Sequence, residues 1–300
     1  MSELPLIIYV PGLQPKPEPG PHREALFRCL IAGVRRYDEK IALDIAANLH
    51  CFDIVSWTYS FYKVHRDIAI DAAAIDAVIA QDQATQRDID AASSWMRRAA
   101  RWVFGLADLL PFLIQHAANK RIELHLRDLR RYVRNRDGIA DDVREMLKLP
   151  LREALDAGRP ILLIAHSMGS VIAYDSLWQM AYGDDDRVRI ELLLTMGSPL
   201  GQRYIQRRIQ GRAEEGSRRY PNNIQRWTNL TAVGDLTAID PDLANDFSDM
   251  VGHGLSDPVD DQELHNYFRL DGELNVHSEY GYLVNKVTAR IVADWWRSVR

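Results

Sequence analysis

Leu6–Val10 (L-I-I-Y-V) is an unbroken apolar run rich in β-branched residues, stopped by Pro11-Gly12. A run without polar alternation predicts a strand covered on both faces, the situation in a parallel sheet. A loop rich in Pro and Gly occupies 11–21. The stretch H-R-E-A-L-F-R-C-L-I-A-G-V-R-R then spaces its apolar residues at helical period, and Cys51–Tyr59 (C-F-D-I-V-S-W-T-Y) reads as a second strand. Strand, loop, helix, strand is a βαβ opening.

Over 62–148 the pattern changes. Apolar residues recur three and four apart (Ile68, Ile75, Ile79; Trp95, Ala99, Trp102; Leu106, Leu109, Leu110, Leu113; Ile122, Leu126, Leu129, Val133), which predicts helices and no strand. Asp137-Gly138 interrupts this, and a further helix is expected over about 139–157, closed by Gly158. The alternation of strand and helix then resumes. Strand I-L-L-I-A leads through H-S-M-G-S into helix V-I-A-Y-D-S-L-W-Q-M-A-Y, and strand R-I-E-L-L-L-T-M ends at G-S-P-L-G. A polar segment with a short helix (202–222) precedes strand I-Q-R-W-T-N-L-T-A-V, which ends at Gly234-Asp235. A long loop covers 236–262, E-L-H-N-Y-F-R-L reads as a last strand, and 278–299 as a terminal amphipathic helix. The expected organisation is one α/β domain built from 1–61 and 149–300, interrupted by a helical insertion at 62–148.

Composition narrows the function classes. Hydrophobic residues make up 47% and charged residues 26% of 300, ordinary for a globular chain that buries a core. A net charge of −5 offers no global attraction to nucleic acid, so no nucleic-acid partner is expected. Cys29 and Cys51 lack metal-ligand spacing and read as small buried residues; without a disulfide framework a reducing compartment is expected. The first residues have no basic n-region, and the apolar stretch 102–114 carries Asp108 and Pro111, so a cytoplasmic location follows as the expectation. No H-E-x-x-H, cysteine cluster, P-loop or G-x-G-x-x-G occurs; no metal and no cofactor are expected.

The sharpest chemical signal is A-H-S-M-G at 165–169, with an apolar strand before it and a helix pattern after it. A serine there sits on a tight turn with its hydroxyl raised above the carboxyl end of the sheet. Strand and helix pack closely across such a turn, which requires small residues two before and two after the serine; Ala165 and Gly169 meet this. The bare string is weak evidence, and its flanking elements give it weight.

On these residues the chain resembles the α/β-hydrolase superfamily, over nearly all its length apart from the helical insertion. Ala165, where the family usually has Gly, is a mild departure. The resemblance implies an α/β-hydrolase fold: a mostly parallel central sheet, helices on both faces and a helical cap insertion. It also implies a triad in the order Ser, acid, His. Ser167 is then the nucleophile, needing a neighbouring base and a carboxylate to orient that base. Asp235, directly after a strand and preceded by Gly, resembles the family's acid; Asp240 in A-I-D-P is the rival. His277 lies where the family places its base; His265, within a strand pattern, and His253, in a Gly-rich loop, are the alternatives. His166 is expected to pack against the turn, because adjacent side chains point apart. The backbone N–H groups of Leu13 and Met168 form the implied oxyanion hole, with Pro11 in place of the family's usual His.

Three function classes stay open on this reading. One is an esterase or lipase-like serine hydrolase acting on a small-molecule ester, with a possible apolar acyl group. A thioesterase, amidase or acyltransferase would use the same residues. A non-catalytic relative that binds a partner is the third. Trp95, Trp102, Phe104 and Phe112 could line an acyl pocket under the cap or simply glue it down. Arg127, Arg130, Arg131, Arg134 and Arg136 read as a solvated face, or less simply as a contact for an anionic headgroup.

Overall fold

The computed structural model describes residues 4–94, 120–184, 188–238 and 240–300, with backbone alone for 120–126. Six strands form one sheet: β1 (Leu6–Val10), β2 (Phe52–Ile54), β3 (Ile161–His166), β4 (Ile190–Met196), β5 (Ile224–Ala232) and β6 (Asp260–Leu264). Their spatial order is β2-β1-β3-β4-β5-β6, and every pairing is parallel. The chain therefore builds outwards from β1 in one direction, then returns past it and builds in the other. In open parallel sheets such a reversal leaves a crevice at the carboxyl ends of the two strands that flank it. Those strands are β1 and β3. Their register pairs Val10 with Ala165, so Pro11-Gly12 and His166-Ser167 emerge side by side.

Alternation along the strands sends side chains into two separate cores. Leu6, Ile8, Val10, Ile161, Leu163 and Ala165 pack with α3 (Trp57–Tyr62), α6 (Lys120–Val133), α7 (Ile139–Asp156) and α8 (Met168–Tyr182). Ile7, Tyr9, Leu162 and Ile164 pack with the opposite layer. That layer contains α1 (Pro19–Tyr37), α2 (Glu39–Ala47), α4 (Ala69–Ala80), α5 (Gln86–Ala92) and the C-terminal α13 (Lys286–Val299). Both strands are buried on each side, which is why they read as continuous apolar runs. Cys29 and Cys51 are free and buried, and burial pushes their thiols up to about 12 and about 11. Among the described residues no helix is long and apolar enough to cross a membrane.

Several elements depart from the sequence pattern. The strand expected over Cys51–Tyr59 is only Phe52–Ile54, and Trp57–Tyr62 is helical. Trp57, Thr58, Tyr59 and Phe61 favour strands by propensity, but the Trp57 indole donates to Pro11 O at 2.9 Å and the chain turns in beneath it. The expected last strand divides as well: β6 ends at Leu264, while β7 (Arg269–Leu270) and β8 (Glu273–Leu274) form a separate hairpin. The terminal helix is broken into α12 (Glu279–Leu283) and α13, with Asn285 capping α13 through Val287 N.

The region 62–148 also divides. Described parts of it join both layers: Ile75, Val78 and Ala92 belong to one core, and Leu129, Tyr132, Ile139, Val143 and Leu147 to the other. Helical spacing is the same for a cap helix and for one flanking a sheet, so sequence alone could not separate them. Trp95, Trp102, Phe104 and Phe112 lie outside the described residues. Within the arginine run, Arg127 pairs with Asp128 at 3.2 Å. Arg131 donates to Phe61 O and stacks over the Phe61 ring at 4.3 Å, so it is a fastening of α6 to α3.

Candidate active site

Ser167 is the single residue between β3 and α8, at φ 53° and ψ −125°. Positive φ in a non-glycine residue costs on the order of 1–3 kcal/mol and persists only where neighbours over-determine it. Here they do. Ser167 N donates to Met196 O at 2.9 Å, and Ser167 O accepts from Ser170 N at 3.0 Å and from Ser170 Oγ at 2.6 Å. Ser170 Oγ in turn meets Ser198 Oγ at 2.7 Å, tying the turn to the loop after β4.

Glycines at two positions let backbone approach this turn. A Cβ on Gly169 would lie 2.3 Å from Val10 O, so the first turn of α8 can rest on the end of β1 only without a side chain. A Cβ on Gly12 would lie 2.8 Å from Ser167 Cβ and 3.3 Å from Ser167 Oγ. The loop after β1 thus crosses directly over the serine, and Leu13 follows at that crossing. Met168 is the first residue of α8, where backbone N–H groups have no intrahelical acceptor. The two expected oxyanion-hole residues therefore follow the ends of β1 and β3, which lie side by side in the sheet.

Asp235 lies three residues beyond β5, and His277 follows β8. His277 Nδ1 is 2.7 Å from Asp235 Oδ2. Tyr282 Oη donates to the same oxygen at 2.8 Å, and Thr237 N donates to Oδ1 at 2.9 Å. Burial alone would raise this carboxyl; the adjacent His277 and the two other donors outweigh it and hold Asp235 below the ordinary carboxylate value. Tyr282 Oη also accepts from Ala232 N at 2.8 Å, so one hydroxyl links the end of β5 to the acid. A Cβ on Gly197, at φ 56°, would fall 2.8 Å from Asp235 Oδ2 and 3.0 Å from His277 Cε1. Gly197 directly follows Met196, whose carbonyl binds Ser167 N. The pair and the serine therefore share the loop after β4 as a common wall. Among the described residues no hydrogen bond joins Ser167 Oγ to His277.

Asp240 accepts from Asp242 N at 3.3 Å, a local turn contact, and does not meet His277. His253 is an exposed residue at the end of α11 (Ser248–Gly252), and His265 lies just beyond β6 with its carbonyl accepting from Asn285 at 3.0 Å. Neither is placed against Asp235. His166 is buried, its ring 4.7 Å from that of His277. Its Nε2 lies 2.9 Å from the His277 carbonyl, which can only accept, so Nε2 carries the proton. Burial, aided by His277, lowers the His166 pKa to about 3, and the ring is a neutral prop for the loop that carries His277.

Sequence reasoning passed over Glu279, two residues beyond His277. It is fully buried and gathers Tyr9 Oη at 3.0 Å, Lys16 Nζ at 2.9 Å and His22 Nε2 at 3.0 Å. Burial opposes its charge, but Lys16 and His22 prevail and hold the carboxyl well below the ordinary value. The start of α12 is thereby anchored to β1, to the loop after it and to α1. An acid within the apolar stretch N-V-H-S-E-Y-G-Y-L-V was a usable hint of a buried charge; its partners at 9, 16 and 22 carry no such mark. Comparison with family models, curated proteins and solved structures finds no match for this chain.

Proposed function

We propose that this chain is a serine hydrolase of the α/β-hydrolase type that cleaves a carboxylic ester through an acyl-enzyme. The observation that carries the reading is the 2.7 Å contact of His277 Nδ1 with a buried Asp235, beside a serine held at φ 53° between β3 and α8. The chain order supports it too, with nucleophile, acid and histidine following β3, β5 and β8 in turn.

In this mechanism Asp235 accepts from His277 Nδ1–H, which leaves Nε2 with a free lone pair. Nε2 takes the Ser167 proton as Oγ bonds to the ester carbonyl carbon. The resulting oxyanion is met by the Leu13 and Met168 N–H groups, each worth about 3–4 kcal/mol. The proton passes from Nε2 to the departing alcohol as the C–O bond breaks. Water, deprotonated by the same nitrogen, then releases the acid and restores Ser167. Hydrogen bonds of this kind are commonly long before substrate enters, which accommodates the missing Ser167–His277 link.

That missing link also favours a second reading, a relative that keeps the site's architecture and binds a partner without turnover. Labelling with a fluorophosphonate separates the two. The hydrolase reading expects covalent labelling and hydrolysis of a chromogenic ester, both abolished in Ser167→Ala with the fold intact. An unlabelled wild-type chain, or full ester hydrolysis by Ser167→Ala, would falsify it.

A further inference from the structure

Between β4 and β5 the chain carries six arginines against two glutamates over 202–222, in a protein whose net charge is −5. Four of those arginines line one open cavity of about 500 Å³, formed by Arg203, Gln206, Arg207, Arg212, Ala213 and Arg219. Among the described residues no carboxylate lines it. We propose that this cavity binds a phosphoryl-bearing anion. The inference goes beyond the hydrolase reading and stands without it.

The backbone of the segment is held in place from below. One face of α8, covered by the loop, presents Tyr174, Asp175, Trp178 and Tyr182 at helical spacing, and each binds loop backbone. Trp178 Nε1 donates to Arg218 O at 2.8 Å, Tyr182 Oη to Ser217 O at 3.2 Å, and Tyr174 Oη to Arg219 O at 3.4 Å. Asp175 Oδ1 accepts from Gln210 N at 2.7 Å. Gly211, at φ 78°, makes the return possible, since a Cβ there would lie 2.4 Å from both Arg219 O and Trp178 Nε1. The turn it permits sets Arg212 beside Arg219.

The heads are treated differently from the backbone. The guanidinium groups of Arg207 and Arg212 make no hydrogen bond or ion pair with any described residue. By contrast Arg208 and Arg218, in the same segment, are occupied by the Tyr204 ring and by Glu214 with Tyr182. Like charges gathered on an ordered loop repel, and a cavity whose lining holds four arginines and no carboxylate suits an anion brought from outside. A guanidinium fork matches two phosphoryl oxygens, and several forks favour a multiply charged phosphoryl group over a single carboxylate.

The test is calorimetric titration of sodium pyrophosphate into the full chain and into the variant Arg207→Ala/Arg212→Ala. Both residues are exposed, so the variant should keep the wild-type melting temperature. Saturable binding by the wild type, weakened about tenfold or more in the variant, is the expected result. Absence of saturable binding, equal affinity in the variant, or sulfate binding as tightly as pyrophosphate would overturn the proposal. Co-sedimentation with vesicles of phosphatidylcholine with and without phosphatidic acid distinguishes the source of the phosphoryl group. Sedimentation that needs both phosphatidic acid and the two arginines assigns a lipid headgroup; pyrophosphate binding without it assigns a soluble phosphate.

Discussion

Asp235 and Asp175 are both buried carboxylates that accept from a tyrosine, yet they are shifted in opposite directions. Asp175, on α8, accepts from Tyr132 Oη at 2.9 Å and from Gln210 N at 2.7 Å, with Arg144 3.8 Å away. Burial there outweighs the Gln210 amide and the Arg144 charge, and the pKa rises to about 6. Asp235 accepts from a tyrosine, an amide and an imidazole at 2.7 Å, and burial loses. The difference is one close ring nitrogen. A buried acid is held below its ordinary value when an imidazole touches it beside the neutral donors, and a guanidinium a full ångström further out does not suffice. Each state suits its place: Asp235 is kept as an anion facing His277, while Asp175 holds the arginine loop by its backbone.

The largest expected effect comes from neutralising the first of these acids. Asp235→Asn should lower ester turnover by roughly 10⁴-fold, because the imidazole is then held in the wrong tautomer. Asp240→Asn should change turnover by less than about tenfold, since Asp240 serves only a local turn. The reverse ranking in steady-state assays would reassign the acid and dissolve the contrast with Asp175.

Breaking the anchor behind the histidine comes next. Glu279→Gln leaves Lys16 and His22 facing a neutral group in a buried setting, and should destabilise the fold by about 3–5 kcal/mol in denaturant titration. A loss below about 1 kcal/mol would show that the cluster does not hold the His277 loop.

The subtlest test sharpens the comparison itself. With its folded pKa raised from 3.8 to about 6, Asp175 holds its proton more tightly folded than unfolded. Its contribution to stability is then full below about pH 3.8 and lost as pH rises through about 6, a change of roughly 3 kcal/mol. Asp235, lowered on folding, contributes in the opposite sense: its share is present above the ordinary carboxylate range and lost on acidification. Stability curves of Asp175→Asn should therefore lack the decline over that interval. An unaltered pH profile would remove the distinction between the two acids.

Much of the frame was legible in the chain. Uninterrupted apolar runs announced β1 and β3 because both faces of a parallel strand are covered. The helix expected at about 139–157 is α7, because its apolar spacing and its closing glycine lie within a few residues. Ser167 could be singled out because strand, small residue, turn, glycine and helix are consecutive in sequence, and a local constraint leaves a local trace. Trp57–Tyr62 misled, since its bulky residues fit a strand as well as a buried helix and the Pro11 carbonyl that decides the matter lies far off in sequence.

Local patterns in the chain were enough to set the alternation of elements and to narrow the candidate acids and histidines to a few. The tertiary structure decided which of them meet: Asp235 with His277, and Glu279 with Tyr9, Lys16 and His22. It also decided which arginines come together around one cavity. Spacing along a chain records what a helix or a turn needs within a few residues. Pairings across 42 or 263 positions depend on which strand ends come together, and no local pattern encodes that.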